Sequence, residues 1–219
     1  MRAINLCAID ASLRKLQRVF PEVNQKLFDR RDSLDDDVIE RMLKGYALVD
    51  RFVTDRTDMF AMGQLSHWLQ LNAVALCGDR ADASERYRGL LQATETRFYE
   101  ERDGGIRDVM DWYALNQNKS VWYKAAGVYN RILSEPQLFI EGNHRTGALI
   151  ISYILVREGQ PPFVLTENNA QGFFDPSSVI RKVKKRNLIE QLKFRRLTRA
   201  FSDFLEAQSN FAFLASAKK

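Results

Sequence analysis

One short stretch gathers most of the residues able to do chemistry: Phe139-Ile140-Glu141-Gly142-Asn143-His144-Arg145-Thr146-Gly147. Its residue types suit a polyphosphate. Glycine lets the backbone approach a ligand closely. The unpaired N–H groups and positive end of a helix starting here favour an anion. Arg145 brings a planar guanidinium fork that matches phosphate oxygens. Glu141 is a hard oxygen ligand of the kind that holds Mg²⁺ against phosphates. Asn143 adds a side-chain amide donor. The same residues also read as a Gly-Asn turn capped by surface charges, because short motifs recur by chance.

Positioning such a turn needs an apolar helix on each side, and the periodicity supplies both. Val121, Trp122, Ala125, Ala126, Val128, Tyr129, Ile132 and Leu133 predict a buried helix from about 119. A second runs from about 144 to 158 and ends before Pro161-Pro162. Upstream, Val38, Met42, Leu43, Tyr46, Val49 and Val53 form one stripe after Ser33 and a run of Asp suited to a helix start. Leu65 to Leu76 continue as a helix that ends at Gly78, and 83–98 carries another.

Asp103-Gly104-Gly105, flanked by Phe98, Tyr99, Ile106, Val109 and Met110, is a hairpin signal. Asn168, Asn169 and Gly172 mark a loop. Asp175-Pro176-Ser177 resembles a helix entry. Leu188, Leu192, Leu197, Phe201 and Leu205 line a long final helix. The reading is an all-α fold in one compact unit. An N-terminal helical region, 1–88, packs on a core, 89–219.

Composition agrees. The chain has 219 residues, 45% hydrophobic and 28% charged, which excludes a disordered chain. Cys7 and Cys77 are too few for a disulfide framework and read as reduced thiols. No membrane span and no secretory signal are visible, so the expected location is cytoplasmic. The net charge of +5 is local. Residues 181–200 hold nine Lys or Arg and one Glu, while the rest of the chain carries 24 basic and 27 acidic residues. Such a basic helix is a solvated face or a docking surface for an acidic partner, membrane or nucleic acid. With no DNA-reading motif present, nucleic acid is not the expected partner. His67, beside Trp68 on an apolar helix, reads as structural.

Phe139-x-Glu141-Gly142-Asn143-x-Arg145-Thr146 resembles the signature of Fic-domain proteins, the Fic/Doc superfamily, which reads His-Pro-Phe-x-Asp/Glu-Gly-Asn-Gly-Arg-Thr-x-Arg. The two flanking apolar helices are similar to those around the family's loop. The resemblance covers about 90–190 and implies a Fic-type helical bundle with a small β-hairpin flap near Asp103-Gly105, where a target protein docks by strand addition. It implies AMP transfer from Mg-ATP, or from another nucleotide, to a hydroxyl of a target protein. By the same resemblance Glu141 is the Mg²⁺ ligand. Gly142 and Asn143 form the anion hole, Arg145 clamps phosphate, and Phe139 anchors the loop.

Three positions depart from that pattern. Gln137 stands where the family has its catalytic His, and an amide cannot accept a proton near neutral pH. Losing a general base typically costs about 10²–10⁴ in rate. His144 replaces the second glycine, where Doc-type members carry Lys; charged, it would contact phosphate, and otherwise it narrows the hole. Ala148 replaces the second Arg, which Doc-type phosphotransferase toxins also lack. Adenylyl transfer, Doc-like phosphoryl transfer and a degenerate nucleotide- or protein-binding module therefore all stand as readings. Ser202-x-x-x-Glu206 has the spacing of the family's inhibitory helix, one possible internal partner beside an antitoxin. Asn168, Asn169, Phe173 and Phe174 fall where members build a base pocket.

Overall fold

The structure is a computed structural model that describes residues 3–78, 85–100, 104–185 and 188–215. The described residues form α1 (Leu6–Lys26), α2 (Asp36–Thr54), α3 (Ser66–Cys77), α4 (Arg88–Glu100), α5 (Ile106–Leu115), α6 (Val121–Leu133), α7 (Asn143–Arg157), α8 (Ala170–Arg181), α9 (Leu188–Ala207) and a 3₁₀ turn at Phe211–Phe213. The all-α expectation holds. The described residues contain isolated β-bridges but no strand. None of the described helices is long and apolar enough to cross a membrane.

α7 is the axis of the bundle. It is apolar on every side, from Ala148 through Leu149, Ile150 and Ile151 to Val156, and a helix of that kind must be enclosed. α6, α2 and α3 pack around it, and α9 covers α6. Burying Leu149, Ile150, Ile151, Ile154 and Leu155 contributes about 1.5–3 kcal/mol apiece. Gly147 sets how closely α6 approaches: a Cβ there would lie 2.6 Å from the Tyr129 ring. One buried cluster runs from Ile4 to Phe213. The two ends of that span meet, with Asn5 N–H donating to Phe213 O at 2.8 Å and Ala215 N–H to Ala3 O at 3.0 Å.

Two expectations change. The residues after Gly104-Gly105 form α5, not a strand: Ile106 and Val109 are buried three apart on one helix face, and period-3 burial is incompatible with a pleat. The residues before the turn form α4. Asp103 lies outside the described residues. No hairpin flap is therefore seen among the described residues around this turn. The turn does sit beside the motif, because Lys185 Nζ donates to both Gly104 O (3.4 Å) and Pro136 O (2.8 Å).

Second, α8 begins at Ala170, so Gly172 and Pro176 lie inside a helix rather than in a loop and at a helix entry. Asp175 does not cap α8; its Oδ1 accepts from Phe28 N–H at 2.9 Å. Asn169 closes the turn before α8, accepting from Thr166 N–H at 2.8 Å and donating to Val164 O at 3.0 Å. Within the expected N-terminal helical region, α1 is a helix whose bounds the periodicity reading did not mark. Its buried residues Ile9, Leu13, Leu16 and Phe20 follow helical spacing.

Candidate functional site

The motif loop is built around Gly142. Its φ of 79° is left-handed, and it caps α7 with no side-chain hydrogen bond. The first N–H groups of α7 are thus left for a ligand. Any larger residue is excluded twice over, since a Cβ would also lie 3.0 Å from Asn72 Nδ2 and 3.1 Å from Leu76. Asn72, on α3, fixes the turn from behind: its Nδ2 donates to Glu141 O (2.9 Å) and to Thr146 Oγ1 (3.0 Å). Phe139 is fully buried and stacks on Phe98 at 5.9 Å, anchoring the loop as the resemblance implied.

Asn143 is turned inward. Its Oδ1 accepts from Phe139 N–H (3.0 Å), while Nδ2 donates to Phe139 O (2.8 Å) and to Gln137 Oε1 (3.3 Å). Both amide hydrogens are engaged, so the side chain holds the loop and Gln137. The donors facing a ligand are backbone N–H groups, not this amide. Gln137 is fixed from its other side too, because Arg97 Nε donates to its carbonyl at 2.9 Å.

His144 is half-buried and both ring nitrogens are bonded. Arg31 Nη1 lies 3.3 Å from Nε2, and an arginine can only donate. Nε2 therefore accepts, and Nδ1 carries the proton toward Tyr129 OH at 3.1 Å. The tyrosine in turn donates to Ser177 Oγ at 2.9 Å, and Ser177 to Phe173 O at 2.5 Å. Burial, then the Arg31 and Arg181 charges, push the His144 pKa down to about 3. This environment disfavours the charged His144 weighed as a phosphate contact, because burial and the Arg31 and Arg181 charges oppose a second ring proton.

Gln137, Glu141, Gly142, Asn143, His144 and Arg145 all line one cleft of about 650 Å³. The cleft floor also carries Ala148, so no guanidinium projects from the position of the family's second Arg. Its far wall comes from α1, α2 and the segment between them, including Arg31, Asp32 and Arg41. Arg41 and Arg145 make no side-chain hydrogen bond or ion pair among the described residues, and Arg41 Nε is buried without a partner. Burial and the neighbouring Arg41 charge both lower the Arg145 pKa, while Glu141 opposes them. Two guanidinium groups facing one cleft beside a helix N-terminus make a site for a multiply charged anion.

Among the described residues no group of three His, Cys, Asp or Glu could cage a metal. Glu141 is exposed at the lip, which suits Mg²⁺ held by one carboxylate plus ligand phosphates and water. Asp32 lines the same cleft.

The remaining expectations separate. Phe173 and Phe174 reach the cleft, but Asn168 and Asn169 do not line it. Nor do Ser202, which is buried, and Glu206, which is exposed. His67 packs edge-on against Phe52 at 4.7 Å, with Nδ1 donating to Gln64 O at 2.8 Å, a structural role. Sequence reasoning missed Arg31, Arg41 and Asn72, which lie 69 to 113 positions from their motif partners; the signals were a charge before or within the α2 stripe and, for Asn72, a polar residue inside the apolar α3.

No family model matches the chain, and no curated protein is similar to it. Among solved structures, the chain is similar to a Fic-domain-containing signaling protein from Bacteroides thetaiotaomicron VPI-5482. The two share 16% identity over 93% of this chain and 96% of that one, with a TM-score of 0.48.

Proposed function

We propose that the cleft binds the phosphates of a Mg-nucleotide in the manner of a Fic domain, and that it supports slow AMP transfer to a hydroxyl of a target protein. The observation that carries this reading is the pair of unpartnered guanidinium groups, Arg41 and Arg145, facing the uncapped N-terminus of α7. ATP supplies the nucleotide, and Mg²⁺ bound by Glu141 neutralises phosphate charge when present. The backbone N–H groups after Gly142 hold the α-phosphate, and Arg145 and Arg41 hold the remaining phosphates.

In the transfer, the hydroxyl oxygen attacks the α-phosphorus and the bond to pyrophosphate breaks. The hydroxyl proton leaves to water, for two reasons. Gln137 is an amide, and the His144 lone pair is already bonded to Arg31. The target docks beside the Gly104-Gly105 turn, which is tied to the residue preceding Gln137 through Lys185.

Titration calorimetry with Mg-ATP tests the binding. Charge-assisted hydrogen bonds contribute about 1.5–3 kcal/mol, so Arg145→Ala and Arg41→Ala should each weaken binding about 10- to 100-fold. Absence of heat with the unaltered protein, or no change in both variants, refutes the reading. For chemistry, Gln137→His should raise label transfer from α-labelled ATP by about 10²–10⁴. If that variant binds nucleotide and labels nothing, the domain is a binding module.

A further inference from the structure

A second concavity, of about 920 Å³, lies between α5, α6 and α9 and shares no lining residue with the motif cleft. It collects the basic stretch singled out in the sequence. Arg195, Arg196 and Arg199 line it from α9, with Lys184 and Lys185 from the segment before α9. Lys119 and Arg131 face them from α6 and its approach. Against these seven cations the lining holds two carboxylates, Asp108 and Asp203.

The floor and the walls differ. On the floor, Arg131 Nη1 donates to both Asp108 oxygens at 2.9 Å, and its guanidinium lies over Trp112 (5.5 Å) and Phe194 (5.4 Å). Arg131 Nε is buried with no hydrogen-bond partner. Lys185 is nearly enclosed, and burial pushes its pKa down to about 8. The charged heads on the floor are therefore held mostly by groups of the chain itself. The walls are not. Lys119, Arg195, Arg196 and Arg199 are exposed, and their side chains have no hydrogen-bond or ion-pair partner among the described residues. Arg195 and Arg199 stand one helical turn apart, about 6 Å along the axis. Like charges brought together in a groove raise its potential, and an anionic partner relieves the repulsion.

Two features select the class of partner. Single strands of nucleic acid bind basic grooves through open ring faces. Here the rings are largely used: Trp112 carries Arg131 and stacks with Tyr123 at 6.0 Å, and Phe194 is buried under the same guanidinium. The rim instead offers an aliphatic contact, Leu115, which is 85% exposed. We propose that this groove docks an acidic segment of a partner protein, with carboxylates on the α9 arginines and an aliphatic side chain on Leu115. The proposal does not depend on nucleotide binding at the motif cleft.

Fluorescence anisotropy of the full chain without nucleotide tests it. Three probes are used: a fluorescein-labelled twelve-residue peptide of Glu-Glu-Leu repeats, its Gln-Gln-Leu counterpart, and a twelve-nucleotide oligothymidylate. At about 50 mM salt the acidic peptide should bind saturably, weaken as salt rises, and outcompete both other probes. Combined Arg195→Ala, Arg196→Ala and Arg199→Ala should cost it about tenfold in affinity, and Leu115→Ser a smaller loss. Arg145→Ala should leave it unchanged. Circular dichroism verifies that each variant is folded; Leu115 and the three α9 arginines are exposed. The proposal is overturned by no saturable binding, by binding indifferent to the triple substitution, or by an equal loss in Arg145→Ala. It is also overturned if oligothymidylate binds more tightly and ignores Leu115→Ser.

Discussion

The neutral state of His144 makes a quantitative prediction about acid. In the folded chain its pKa is about 3, against an ordinary 6.5, because burial and two arginines oppose the proton. In the unfolded chain nothing opposes it. The folded state thus binds the proton less well, and the stability that rests on neutral His144 is complete above about pH 6.5 and declines as pH falls toward 3. At pH 5 the unfolded chain is protonated about thirtyfold over neutral, while the folded ring is still neutral, so the linkage is about 2 kcal/mol relative to pH 7.5.

The assay is urea unfolding at pH 7.5 and 5, followed by tryptophan fluorescence, to which the fully buried Trp68 reports. His144→Asn serves as the reference. It loses the Arg31 and Tyr129 contacts at both pH values, so its absolute stability falls, but it cannot titrate. The unaltered chain should lose about 2 kcal/mol more than the variant between the two pH values. Equal losses would refute the directional chain from Arg31 through His144 to Ser177, because a solvated or charged ring gives no such difference.

Three further outcomes follow from the same geometry. Gly142→Ala forces a left-handed φ on alanine and a 3.0 Å contact with Asn72, and should destabilise by about 1–3 kcal/mol in thermal unfolding. Asn72→Leu removes the donor to Glu141 O and Thr146 Oγ1. It should cost about 1–3 kcal/mol and weaken Mg-ATP binding by calorimetry, without touching the cleft. The Lys185 pKa is lowered to about 8, so its folded form resists the proton and stability should rise from pH 8 to 9.5 by about 1–2 kcal/mol. Chemical denaturation of Lys185→Met should show no such rise.

Periodicity carried the helices that flank the motif because each must bury a whole apolar face. The α6 and α7 residues announce that by type alone. It also carried the loop between them, since left-handed Gly142 before an uncapped helix is a local property of a few adjacent residues. It failed at Asp103-Gly105 and at Asp175-Pro176 for one reason. Turn-forming residues state what the backbone can do, while packing decides what it does. Gly104, just before α5, is tied to Pro136 by Lys185, and Asp175 serves Phe28 across the chain.

The chemistry divides in the same way. The sequence by itself determined that Glu141, Gly142 and Arg145 share a turn, and that Gln137 is no base. Only the tertiary structure decided that Asn143 faces inward and that His144 is neutral. It also placed Arg41, 104 positions before Arg145, opposite that residue in the cleft. Hydrogen-bond partners and desolvation come from residues remote along the chain, and no local spacing encodes them.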